Sequence, residues 1–254
     1  MRVLLAVLML IPSVALADIT VGAGANYESF TDAVYQTVDS GETIIVLPGE
    51  YDIRQEYETA FPDQVPEQFQ RGVYLHDREV RFLPGAKLTC VWDRDDGFSP
   101  LYIDGGVILD GLNLYAEGTL YAIHDDPWHR EEPYVNEYRH CRIVGRLLKN
   151  ANCIGGGAAR NARILMENCW LDNGVAGSLT VRYHNTDLDG AEGDIWISNS
   201  WFNGYLGLCC YGETSHLDVY MNGCRAERIE TRKETEDSAV RNIDLYAWNN
   251  ETAP

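Results

Sequence analysis

Basic residues are scarce in this chain. Lys and Arg number 20 against 39 Asp and Glu, giving a formal charge of −19. A polyanion is not drawn to nucleic acid or to an anionic membrane, so neither is expected as a partner. Long apolar runs are lacking after residue 17, which leaves no further stretch of membrane-spanning length. Paired C-x-x-C motifs are lacking as well, and the seven cysteines are an odd number, so neither a zinc ribbon nor a full disulfide framework is indicated. Cys209-Cys210 is vicinal, a poor bridge and a poor metal pair. Wholesale disorder is excluded by a 45% hydrophobic and 23% charged composition. Glycine (23), tyrosine (15) and tryptophan (6) are well supplied, as in a chain of strands and turns.

The one long apolar stretch lies at the start. Met1-Arg2 is followed by the apolar run Val3–Leu16, and Ala15-Leu16-Ala17 fits a small-x-small cleavage site. Residues 1–17 therefore read as a signal peptide, and the mature protein is expected outside the cytoplasm, periplasmic or extracellular. Export permits disulfides, but the cysteines have another explanation in the repeat described next.

Five segments share one pattern: an apolar pair, a small or polar residue, a packed residue, then x and, in most units, a further apolar residue. They are Leu109–Leu114, Tyr138–Ile143, Met166–Leu171, Ile197–Phe202 and Met221–Ala226. Their fourth positions are Leu112, Cys141, Cys169, Ser200 and Cys224, spaced by 29, 28, 31 and 24 residues. A second short strand follows in each unit: Leu120–His124, Cys153–Gly157, Leu179–His184 and Leu206–Tyr211. Short strands at this period predict a solenoid of stacked coils. Cys141, Cys169 and Cys224 then form most of an interior ladder of free, buried thiols. Upstream, Phe30, Ala33, Val34 and Val38 follow helical spacing, so Glu28–Asp39 reads as an amphipathic helix ended by Gly41. Within residues 18–41 it would cap the apolar end of the coil. Residues 18–254 are expected to form one all-β domain.

The segment Ile19-Thr20-Val21-Gly22, Tyr27, Phe30–Val34 and Gly41–Tyr51 resembles the opening of pectin-lyase-like right-handed parallel β-helices. Tyr121–His124, Ile154–Gly157 and Tyr183-His184-Asn185 are similar to a small β-helix type of bacterial secreted and phage tail proteins. The likeness spans most of residues 19–249. It implies a single-stranded right-handed parallel β-helix, and hence a polysaccharide or cell-surface glycan as partner. This fold hosts lyases, hydrolases, esterases, epimerases and adhesins, so it does not choose an activity. The Gln-Asp-Thr-Leu, Asp-Phe-Ile-Phe-Gly and Leu-Gly-Arg-Pro-Trp segments of the pectin-esterase type are missing. Asn185-Thr186-Asp187 matches the polygalacturonase type by letters, but no His-Gly or Arg-Ile-Lys follows. An enzyme of this kind would be a polysaccharide lyase or glycoside hydrolase. A tail-type or adhesin relative would bind without cleaving, and the tail type would be expected as a homotrimer.

Strand alternation places Leu179, Val181 and Tyr183 inside, with Thr180, Arg182 and His184 outside. His124, two coils earlier, is also expected outside, across a floor of Gly155, Gly156 and Gly157 from His184. The next coil offers Gly207, Cys209 and Tyr211. For lyase chemistry Arg182 would neutralise a uronate carboxylate, His184 would supply the base and Tyr211 the acid, with His124 a further catalytic candidate on the same face. The turn Asp125–Glu137 would add Asp125, Trp128 and Tyr134 to substrate binding, with Trp128 stacking on a sugar ring. The plain alternative is an ordinary outer face with an aromatic plug. Asn185, Asp187 and Asp189 have the spacing of half a calcium loop, and Asp194 is a further candidate ligand. The twelfth position is Trp196 where a Glu is expected. Calcium is thus the one ion suggested, against the alternative of solvated, turn-forming acids.

Overall fold

This computed structural model describes residues 18–94, 96–126, 130, 132–146, 152–158, 162–174, 179–185, 192–210, 216–231 and 243–252; the side chains of residues 157, 158, 179, 182–185, 209, 210, 230, 231 and 252 are outside that description. Residues 1–17, the expected signal peptide, are outside it too. No helix among the described residues is long and apolar enough to cross a membrane.

The chain coils into an all-β parallel solenoid whose strands stack into three sheets. The first holds nine strands, running from Ile19–Val21 through Tyr134–Arg139, Ala162–Glu167, Glu192–Ser198 and His216–Asn222 to Ile243–Trp248. The second holds eight, from Gly49–Asp52 to Glu251–Thr252, and the third holds seven, from Gly72–Leu75 to Arg228–Thr231. Each strand pairs in parallel with the equivalent strand of the next coil.

Every repeat motif turns a corner between the first and second sheets. Its third residue takes a left-handed backbone: His140 (φ 55°), Asn168 (φ 53°) and Asn199 (φ 49°), with Gly111 and Gly223 equivalent. Glycine and asparagine tolerate that conformation best. The corner swings the next residue inward, and Leu112, Cys141, Cys169, Ser200 and Cys224 are all buried. Cys141, Cys169 and Cys224 are free. Their thiols donate to carbonyls of the coil before: Cys141 to Leu109 at 3.4 Å, Cys169 to Tyr138 at 3.3 Å and Cys224 to Ile197 at 3.5 Å. The expected ladder is thus present.

Inward columns fill the coil. In the third sheet, Val73, Leu101, Ile123, Ile154, Val181 and Leu206 stand in register, each fully buried. Each contributes roughly 1.5–3 kcal/mol on burial, and the column repeats on every strand. In the neighbouring row, Leu75, Ile103, Asp125, Gly156, Tyr183 and Leu208 align by backbone register; Leu75, Ile103, Asp125 and Leu208 are buried, so a carboxyl group replaces an aliphatic at one rung.

The start carries two helices. The first, α1, spans Phe30–Gln36, shorter than the expected Glu28–Asp39. Ser29 accepts from the Asp32 N–H at its start, and Phe30, Ala33 and Val34 are buried. The Arg78 guanidinium donates to the carbonyls of Thr37 and Val38, ending the helix before Gly41. The second, α2 (Ile53–Ala60), was not expected. Asp52 accepts from the N–H groups of Arg54 and Gln55, and Ile53 and Tyr57 face inward. Glu56 of α2 accepts from the Thr31 N–H at the start of α1, which ties the two together.

Candidate functional site

On the third sheet, backbone register rather than alternation alone decides which positions line up from coil to coil. Backbone register aligns Tyr74, Tyr102, His124, Gly155, Arg182 and Gly207 in one row. His124 therefore shares its row with Arg182, whereas His184 pairs with Gly157 and Cys209 one row along. Gly155 is covered, because a Cβ there would lie 2.3 Å from the Tyr121 ring. Gly156 points inward rather than forming a floor, and a Cβ there would strike the Asp125 carbonyl. Thr180 is buried, not outward. The register slips between Leu179 and Val181, and the Thr180 hydroxyl donates to the Asn203 carbonyl at 2.7 Å.

His124 lies between Tyr102 and Tyr121, with ring centroids 5.3 and 4.8 Å away. Its Nε2 faces Asp126 Oδ2 at 3.4 Å, and its side chain is 14% exposed. Tyr74 donates to Asp104 at 2.6 Å and Tyr102 to the Asp126 carbonyl at 2.9 Å. Burial, reinforced by Asp104, pushes the Tyr102 phenol up to about 12, so it serves as a donor. The side chains of Arg182 and His184, and all of Tyr211, lie outside the described residues, as do Trp128, Asp187 and Asp189.

Asp125 and Tyr134 have core positions. Asp125 ends the strand Tyr121–Asp125 with its carboxylate inside the coil, fully buried. Asn136 Nδ2 donates to it at 2.8 Å and the Tyr138 hydroxyl at 2.6 Å. An inward carboxylate cannot contact a ligand on the outer surface. Tyr134 opens the strand Tyr134–Arg139, is buried, and packs under the Arg130 guanidinium, 5.7 Å from its ring centre. Asp194 is held in a two-point bond by Arg163, with Nε at 2.8 Å from Oδ1 and Nη2 at 2.7 Å from Oδ2. That bond competes directly with any role of Asp194 as a calcium ligand.

The most unusual surface is the outer face of the first sheet in the last coils. Register aligns Leu165, Trp196, Tyr220 and Tyr246 in one row. Trp196 and Tyr220 stack with centroids 4.0 Å apart at 16°, and Tyr220 and Tyr246 at 4.8 Å and 9°. Stacking occupies most of the ring faces and turns the edges outward. Trp196, Tyr246 and the neighbouring Trp248 remain 42%, 46% and 45% exposed. On one side of this ridge, Trp196, Tyr220 and Trp248 line a groove of ≈ 300 Å³ with Glu167, Ser198 and Asn222. On the other side Arg163, Glu192, Asp194, His216 and Asp218 line a cleft of ≈ 590 Å³. An apolar wall beside hydroxyl, amide and carboxylate groups suits a ligand with one apolar face and many hydroxyls.

The sequence reading missed this face, although its signal is present. Trp196, Tyr220 and Tyr246 each lie four residues before an inward corner residue (Ser200, Cys224, Asn250). Asp194-Ile195-Trp196, Asp218-Val219-Tyr220 and Asp244-Leu245-Tyr246 are one repeated triplet. Extending the repeat frame three residues upstream exposes it.

Fold and face together define a parallel β-solenoid with an exposed aromatic ridge. No protein-family model, curated protein or solved structure matches the chain.

Proposed function

We propose that this protein is an exported, pectin-lyase-like right-handed β-helix that binds a neutral polysaccharide on the outer face of the first sheet. The observation that carries this reading is the ridge Trp196–Tyr220–Tyr246 with Trp248 beside it, exposed on a rigid sheet. Monomeric proteins rarely leave such apolar area uncovered without a ligand for it. Ser198, Asn222 and Glu167 in the adjoining groove would hydrogen-bond hydroxyls while Trp248 covers an apolar sugar face. The charge of −19 disfavours a polyuronate, since most of the surface repels it. Export rests on residues 1–17, and the β-helix type on the resemblance of residues 19–51.

A panel of neutral and acidic polysaccharides, read for binding, unsaturated products and new reducing ends, tests this function. The expected result is retention on a neutral glycan. Unsaturated products or reducing ends would add a lyase or a hydrolase, respectively. A chain that binds no member of the panel would contradict the proposal.

A further inference from the structure

Beside the aromatic ridge, His216 and Asp218 sit two residues apart on one outer strand face, and Asp244 is the register partner of Asp218 on the next coil. Their ligating atoms converge. His216 Nε2 is 3.2 Å from Asp218 Oδ1 and 3.5 Å from Asp244 Oδ2. One atom from each of the three side chains lies within 4.8 Å of the others.

We infer that His216, Asp218 and Asp244 form a binding site for a zinc-type divalent ion. Zinc bonds nitrogen at about 2.0–2.1 Å and carboxylate oxygen at about 2.0–2.2 Å, so the edges of its tetrahedron are about 3.3–3.6 Å. Of the two N···O separations, 3.5 Å falls within that range and 3.2 Å, which is also a hydrogen-bond distance, lies just below it. A cation among the three side chains would draw both carboxylates and the imidazole nitrogen as ligands. The ligand set points to the same class. Imidazole nitrogen with two carboxylates suits zinc and its first-row neighbours, whereas calcium takes six to eight oxygens.

Asp194, the other register neighbour of Asp218, is held by Arg163 and stays outside the set. The cleft of ≈ 590 Å³ bordered by His216 and Asp218 has room for water or a ligand hydroxyl to complete the coordination. Glu192, the register partner of His216, would face such a group. Three ligands with a further position open to a cleft is the form of a reactive or ligand-binding site rather than a closed structural one.

Calorimetric titration of the full chain with zinc chloride alone tests the inference, with calcium chloride in parallel. The expected result is one saturable zinc site per chain that is stronger than any calcium site. His216→Ala and Asp244→Asn should each weaken it at least tenfold. Asp194→Asn should leave it within about twofold. Far-UV circular dichroism checks that each variant keeps its strand content. The inference fails if no saturable zinc site is found, if calcium binds more tightly, or if neither His216→Ala nor Asp244→Asn changes affinity. The last outcome would place the ion elsewhere, for example on cysteine.

Discussion

The Tyr138 hydroxyl donates to Asp125 Oδ2 at 2.6 Å across the interior of the coil. Asn136 donates to the other oxygen, and its own carbonyl accepts from the Val107 N–H. A buried carboxylate is tolerated only when its hydrogen bonds are made. Tyr138→Phe keeps the ring and removes one bond to a fully buried carboxyl group. Urea unfolding should show a loss of about 1–3 kcal/mol. Unchanged stability would mean that the hydroxyl contributes nothing to holding Asp125.

Reactivity of the interior thiols gives a second test. Cys90, Cys141, Cys153, Cys169 and Cys224 are buried and free. Burial pushes the Cys90 thiol up to about 12, and the Cys141, Cys153 and Cys224 thiols upward as well. At pH 8 these four should resist alkylation in the folded chain and react once it is unfolded, as mapped by mass spectrometry. The sign for stability follows. The folded chain keeps protons that the unfolded thiols release, so stability should fall as pH rises above the free-thiol value of about 8.5. Fast labelling of Cys141 in native protein would contradict the ladder.

The corner residues make a third prediction. Asn168 sits at φ 53°, where a β-branched side chain is strained. Asn168→Gly should be nearly neutral, and Asn168→Val should cost about 1–2 kcal/mol in thermal or urea unfolding. Equal effects from the two substitutions would show that the corner does not require this conformation.

These corners also explain what the sequence made legible. Cys141, Cys169 and Cys224 recur because a left-handed turn before each swings the next residue into the buried interior, where Leu112 and Ser200 stand at the equivalent positions. Each motif containing a turn reads in sequence as one strand, although the corner divides it between two sheets. Asp125 reads in sequence as a loop residue because a carboxylate is a poor candidate for a coil interior. Asn136 and Tyr138, eleven and thirteen residues on, donate the hydrogen bonds that help make it acceptable there. The helix α2 was missed even though Asp52, Ile53 and Tyr57 carry a cap and an apolar face.

Outer positions were harder still. Alternation separates inside from outside, but an outer side chain is constrained mainly by the next coil, some 24–31 residues away. His124 and His184 therefore looked aligned when register sets them one row apart. Trp196, Tyr220 and Tyr246 went unnoticed because their column emerges only when three coils are laid side by side.

Trp248 on this face is the residue to change. Affinity electrophoresis of Trp248→Ala, with Tyr74→Phe on the third sheet as the control, measures the central claim directly. In a gel containing the polysaccharide that retains the wild-type chain, Tyr74→Phe should be retained equally. Trp248→Ala should bind at least tenfold more weakly, about 1.4 kcal/mol, with unchanged mobility in a gel lacking the glycan. Undiminished retention of Trp248→Ala, or a loss confined to Tyr74→Phe, would contradict the account and place binding on the third sheet.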